Sequence, residues 1–191
     1  MIAALFWCGS VVTDRRNLGK GLIRFHVVAN SDTEMDQEIK LQVRDAVLES
    51  LKYDLSQITD VAAAKAYLMK NLPKIQKTAE DTLNRVGVDS HAVVTLCRET
   101  FDERRYDTFA LPAGVYESLR IVIGEGKGHN WWCVTFPALC VPDSEEAFVS
   151  AAVGAGFSEN LGKTLAGEET YEVRFYLLDK LGQLENIFFA G

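Results

Sequence analysis

The sequence is short of positive charge. Its 20 lysine and arginine residues stand against 27 aspartate and glutamate residues, which leaves a formal net charge of −7. Proteins that bind nucleic acid need a lysine- and arginine-rich surface to neutralise the phosphates. Broad electrostatic docking on anionic lipid needs such a surface as well. The composition therefore argues against both, and we expect no nucleic acid partner.

Cysteines and long apolar runs are also scarce. Four cysteines in 191 residues are too few for a disulfide scaffold and leave room for one bridge or none.

The apolar run 1–12 is too short to span a bilayer and lacks the basic start of a signal peptide. A lipoprotein signal is disfavoured, because Phe6 and Trp7 precede Cys8 where small residues are needed. A buried first strand and the remnant of an export or anchor segment both stay open, and the polar, glycine-containing residues 13–21 predict a linker.

The remaining sequence predicts an α+β fold, since 48% of the chain is hydrophobic and both structural periods occur. Apolar positions at helical spacing predict a helix over 33–51 and two more between 60 and 86 that Pro73 separates or kinks. Residues 154–170 are expected to form a loop. We expect a small, mostly antiparallel sheet with the helices packed on one side, and one domain over 22–191 that follows the segment 1–21. Period-two patterns place two of its strands at 22–29 and 116–123, and further strands are expected at 91–98, 131–135 and, as a further candidate, 171–178.

A glycine-rich loop at 124–128 precedes two adjacent tryptophans, Trp131 and Trp132. The loop does not match a phosphate-binding loop, because Lys127 is followed by Gly128 and not by Ser or Thr opening a helix. In a strand the two tryptophans point to opposite faces, so one can fill the core while the other stays available to a partner.

Three kinds of reactive site can be considered. Cys133 and His129 are too close in sequence for a typical nucleophile and base, which usually converge from separate elements. A metal site would need closely paired Cys or His ligands, and these are absent. Asp32, Asp36 and Asp45 are candidates for an acid–base pair, but Asp32 and Asp36 lie at a helix N-terminus, where capping explains them without chemistry. We predict no catalytic residue, metal or cofactor; the alternative is an extracytoplasmic hydrolase of cell wall or peptide, centred on Cys133 or on an acidic pair.

Two stretches carry a family resemblance. Residues 22–48 and 113–140 resemble the stage II sporulation protein R family of endospore-forming bacteria, and Ala138 departs from the usual double proline of that family. The residues that carry the match are candidates for partner binding or for structural motifs: Asn30, Asp32, Lys40, Arg44, Asp45, Asn130, Trp131, Trp132 and Pro137.

The resemblance implies a signalling role. Members of the family are made in the forespore, exported across its membrane and active in the septal intermembrane space. There they activate a membrane-embedded aspartic protease of the mother cell, which removes the pro-sequence of the sigma-E precursor. Residues 1–12 would then be the end of an export segment or a membrane tether. Export would favour a disulfide between Cys133 and Cys140.

Overall fold

A computed structural model describes residues 2–137, 144–167 and 172–190, and the side chains of 9–137, 144–167 and 172–189. In this part of the chain, helices and strands follow one another in the order α1 (Ile2–Gly21), β1 (Ile23–Val28), α2 (Glu34–Ser56), α3 (Val61–Arg85), β2 (Ala92–Phe101), β3 (Arg104–Arg105), β4 (Ala110–Leu111), β5 (Gly114–Ile123), β6 (Asn130–Phe136), α4 (Glu145–Gly154), α5 (Glu159–Ala166) and α6 (Glu172–Ala190).

The main sheet has four strands in the order β2-β5-β1-β6 and is mostly antiparallel. Strands β1 and β6 run antiparallel, with Phe25 opposite Cys133 and Val27 opposite Trp131. All four strands of this sheet were predicted, β1 and β5 from their period-two pattern. The structure therefore confirms the α+β class and the mostly antiparallel sheet.

Helices α2 and α3 pack on one face of this sheet. The alternation of β1 places Ile23, Phe25 and Val27 in the same hydrophobic core as the buried stripes of both helices. Arg24 and His26 point to the opposite face, where they are also buried, at 0% and 4% exposure. The predicted arrangement of helices on one side is thus confirmed for this part of the fold.

The helix starts differ in detail from the predictions. Thr33 caps α2, with its hydroxyl accepting from the Asp36 amide at 3.3 Å, so the helix begins at Glu34, one residue after the predicted start. Asp60 caps α3 and accepts from the Ala62 amide. Pro73 lies within α3 and does not end it, so the two predicted helices form one.

The N-terminal predictions of a strand or a linker are wrong for the described residues, which form helix α1. Residues 13–21 contain the fully buried Leu18. Gly21 is needed for close packing, because a Cβ there would lie 2.6 Å from Cζ of Phe157. The two glycines in this polar segment led to the prediction of a linker. The contact that requires Gly21 is with Phe157, which is far away in the sequence. The alternative of an export remnant stays a prediction.

The predicted strand at 171–178 and the predicted loop at 154–170 are also wrong. The first lies largely in α6, where Arg174, Leu178 and Gly182 are buried at helical spacing. The second contains α5, capped by the Ser158 hydroxyl, which accepts from the Leu161 amide at 3.2 Å. No helix in the described ranges has both the length and the apolar character needed to cross a membrane.

The chain divides into two compact units. One contains 1–22, 98–117 and 141–191, and the other contains 23–97 and 118–140. The division runs through strands β2 and β5. The second unit therefore holds both sequence segments that carry most of the predicted site residues.

Candidate functional site

Two irregular segments meet at one end of the β1–β6 pair. The turn 29–33 follows β1 and the loop 124–129 precedes β6, and Val28 lies opposite Asn130 in the antiparallel register. The chain therefore leaves β1 and enters β6 at the same end of the sheet. We call these two segments together the turn–loop site.

Hydrogen bonds to the main chain fix the loop on the turn. The Lys127 amide donates to the Asn30 carbonyl at 3.1 Å, and the Gly128 amide donates to the Ala29 carbonyl at 3.0 Å. The Asn30 side chain adds a third bond, since its Oδ1 accepts from the Glu125 amide at 3.0 Å. These bonds join residues 95 to 99 positions apart in the sequence, so the loop conformation depends on the turn.

Asp32 binds the last residue of the loop. Its Oδ1 lies 2.5 Å from both the backbone nitrogen and Nδ1 of His129. The backbone amide first, and then the imidazole, lower the pKa of the Asp32 carboxyl below its usual range, with a smaller contribution from the Lys40 charge. Both side chains are exposed, so this contact closes the outer edge of the site.

Lys40 holds the same loop residue from the side of helix α2. Its ammonium donates to the His129 carbonyl at 3.1 Å and to Oε1 of Gln37 at 2.5 Å. Gln37 in turn donates to the Ser31 carbonyl at 2.9 Å. Lys40 is only 6% exposed, and burial, together with the nearby charge of Arg44, lowers its pKa. A buried lysine is tolerated here because carbonyl oxygens accept hydrogen bonds from its ammonium group.

Asp36 stabilises the turn from the first turn of α2. Its Oδ2 accepts from the Ser31 hydroxyl at 2.5 Å and from Nδ2 of Asn30 at 2.9 Å. These bonds lower the pKa of Asp36. Asp32 and Asp36 therefore each have their own donors and both favour the ionised form. A general acid needs a raised pKa, so the arrangement does not fit an acid–base pair.

The loop glycines are explained by backbone conformation and by close approach. Gly124 and Gly126 have φ of +56° and +63°, a region that other residues avoid. A Cβ on Gly128 would lie 2.2 Å from the Ser31 carbonyl oxygen. The glycines thus allow the loop to lie against the turn, which is a different role from cradling a phosphate.

Trp131 lies between the core and helix α2. Its ring meets Phe25 edge to face at 5.9 Å, and the Arg44 guanidinium carbon lies 4.8 Å from the ring centroid. Arg44 also donates to Asp45 at 2.7 Å. Trp131 and Arg44 are partly buried, while Asn130 and Asp45 are exposed. This edge of the site therefore presents an aromatic ring, a guanidinium and a carboxylate side by side.

Trp132 points to the other face of the sheet, as the period of a strand requires. It stacks on His26 with 3.7 Å between ring centroids and is partly buried. Pro137 is buried and follows a cis peptide bond after Phe136. The expected division of the two tryptophans between the faces is therefore what the structure has.

Cys133 is disulfide-bonded and 2% exposed. Cys140 lies outside the described residues, so its predicted pairing with Cys133 stays a prediction. A disulfide sulfur has no thiolate with which to attack a substrate. His129 is in addition bound to Asp32, and the nucleophile hypothesis therefore loses both of its residues.

The structure brings most of the predicted residues together, and it assigns them partners that the sequence did not reveal. The Arg44–Trp131 contact and the role of His129 were missed. The spacing of polar residues along α2 was an available signal, because residues three or four apart share one helix face. The side chains on that face are Asp36, Gln37, Lys40 and Arg44.

Two comparisons with known proteins match this chain to one family. A family model described as Stage II sporulation protein R matches residues 19–146, which include the whole turn–loop site. Stage II sporulation protein R of Bacillus subtilis (strain 168) is 32% identical over 151 residues, which cover 79% of this chain and 64% of the relative. The chain thus spans slightly less than two thirds of the length of that relative. No solved structure matches the chain.

Proposed function

Because the chain belongs to the stage II sporulation protein R family, we propose that it is a signal sent from the forespore to the mother cell during sporulation. The protein is exported into the septal intermembrane space. There it activates the membrane-embedded aspartic protease of the mother cell, which removes the pro-sequence of the sigma-E precursor. It acts as a ligand of that protease and not as an enzyme.

The observation that carries the proposal is the turn–loop site with its Trp131 edge. Tryptophan and arginine contribute much of the binding energy in protein interfaces, and Arg44 lies over the ring of Trp131. The exposed Asn130 and Asp45 supply polar groups at the rim, as interfaces usually have. This combination suits recognition by another protein.

The hydrolase alternative has less support from the same residues. Cys133 is disulfide-bonded, and hydrogen bonds lower the pKa of both Asp32 and Asp36. Cys133→Ser separates the two functions. In a ligand, the change lowers the melting temperature and leaves activation by the folded fraction intact, whereas a Cys133-based hydrolase loses all activity.

The proposal is tested by co-purification with the extracytoplasmic part of the protease and by processing of the sigma-E precursor. We expect Trp131→Ala and Arg44→Ala to weaken protease binding by about tenfold or more, the loss typical of residues at the centre of an interface. Tyr53→Ala is the matched control, because Tyr53 is an aromatic residue with 76% exposure that lies more than two helical turns after Arg44 along α2.

Trp131 also packs on the core, so circular dichroism and thermal melting must show that each variant folds. Arg44→Ala removes the rim charge without removing core volume and keeps the test decisive if Trp131→Ala unfolds. Normal binding and normal precursor processing by folded Arg44→Ala would contradict the proposed interface.

A further inference from the structure

A basic cleft lies in the unit that contains residues 1–22, 98–117 and 141–191. It is bordered by α1, α6 and the end of β2. Its volume is about 260 Å³, and its charged lining residues are Arg15, Arg16, Lys20, Arg98 and Glu185. Four cations thus face one carboxylate in a chain whose net charge is −7. The cleft is therefore locally positive, although the chain as a whole is negatively charged.

The cations of this cleft are poorly compensated. Arg15 is 7% exposed and donates to Glu185 at 2.5 Å and to the Tyr116 hydroxyl at 3.2 Å. Within the described residues, Arg16 and Lys20 form no ion pair, and both are exposed. Like charges held close together destabilise a fold unless an anion joins them. The cleft therefore has the electrostatics of an anion site.

Exposed apolar side chains border the same cleft. Val12 lines it and is 41% exposed. Leu184 and Phe188 are 53% and 83% exposed, and they follow the lining residue Leu181 by three and seven positions, so they lie on adjoining parts of one helix face. Arg98 lies 5.5 Å from the ring of Phe189. Cations and apolar groups thus occupy one continuous surface.

We propose that the basic cleft binds the phosphate headgroup of anionic phospholipid, with Leu184 and Phe188 entering the adjoining apolar layer of the membrane. Amphipathic surfaces that carry basic and aromatic residues side by side bind membranes in this way. An inorganic phosphate or an acidic peptide would satisfy the cations but would leave the apolar border exposed. The site is separate from the turn–loop site and does not depend on protease activation.

Co-sedimentation of the full chain with vesicles tests this site. We expect binding to vesicles of phosphatidylcholine mixed with phosphatidylglycerol, and little binding to phosphatidylcholine alone. Arg16→Glu/Lys20→Glu should weaken binding to the mixed vesicles about tenfold or more, since juxtamembrane basic residues each contribute to the attraction of an anionic surface. Lys52→Glu/Lys70→Glu is the matched control, because it changes the net charge equally at exposed lysines of the other unit.

A second variant pair tests the apolar border. Leu184→Ser/Phe188→Ser keeps every cation, and we expect it to bind the mixed vesicles more weakly than the native chain. Equal loss in the Lys52/Lys70 control, or no loss in the Arg16/Lys20 variant, would overturn the proposal. So would binding of inorganic phosphate or polyglutamate by a chain that does not bind the vesicles. Arg16→Glu/Lys20→Glu should still co-purify with the protease, which separates this test from that of the proposed function.

Discussion

At the scale of single residues, the turn–loop site depends on side chains that each form hydrogen bonds with two different partners. Asn30 donates to Asp36 and accepts from Glu125, which requires an amide and excludes a carboxylate or an aliphatic side chain of the same size. Lys40 likewise joins Gln37 to the His129 carbonyl. Substitutions that remove the hydrogen-bonding groups of these side chains should therefore disturb the site more than substitutions that change only side-chain volume.

The contact of Asp32 with His129 predicts a pH dependence. The pKa of Asp32 in the folded chain lies below its ordinary 3.8, so folding favours the carboxylate. Its contribution to stability is complete above that ordinary value and is lost as pH falls through the lower, folded-state pKa. We expect Asp32→Asn to lower the urea midpoint at pH 7, and the difference from the native chain to shrink in strong acid.

The control for this prediction is Asp89→Asn, because Asp89 is exposed and should show no difference at either pH. Urea unfolding followed by fluorescence measures all three proteins. NMR titration provides a second readout, in which His129→Ala should raise the pKa of Asp32 towards 3.8. The backbone amide of residue 129 is kept in that variant, so the rise should be partial, and an unchanged Asp32 pKa would contradict the contribution of the imidazole.

At the scale of elements, local pattern predicted some parts of the fold and failed at others. Strands β1 and β5 and helix α2 were recognised because their period agrees with the face that they bury. The turn–loop site could be located by family resemblance, but its hydrogen bonds join distant residues such as Asn30 and Glu125, which no local pattern contains. Helices α1 and α6 were missed because packing partners distant in sequence decide their conformation.

Helix α3 contains a proline that can be tested at this scale. Pro73 cannot donate to the carbonyl one turn earlier, and its ring crowds that turn. We expect Pro73→Ala to raise the free energy of unfolding, by at most about 3 kcal/mol. Lys74→Ala, at the exposed neighbouring position, should change it by less than about 0.5 kcal/mol. Urea denaturation measures both, and a less stable Pro73→Ala would show that restriction of the unfolded chain dominates.

At the scale of the whole molecule, the two ends of the chain meet within one unit. Helix α1 packs against α6, and Asp14 accepts hydrogen bonds from Nε and Nη2 of Arg174. Both residues are less than one tenth exposed. A buried ion pair leaves an uncompensated charge when one partner is removed, so this contact ties residues 160 positions apart.

We expect Asp14→Ala to destabilise this unit by about 3–5 kcal/mol. Asp81→Ala should cost less than about 1 kcal/mol, because its pair with Lys77 is exposed and water screens such pairs. Hydrogen exchange of the α1 and α6 amides gives a local measurement. Asp14→Leu/Arg174→Met should recover much of the loss, and unchanged exchange in Asp14→Ala would show that the pair contributes nothing.

The bonds that Asn30, Asp32 and Lys40 make to the loop 124–129 are all formed in the chain by itself. A partner that docks at the Trp131 edge would thus meet a preorganised surface, and little conformational entropy of this loop would be lost on association. The affinity of such a complex would be sensitive to substitutions that never touch the partner. Loosening the turn would lower the fraction of molecules that are competent to bind, while every contact residue stayed in place.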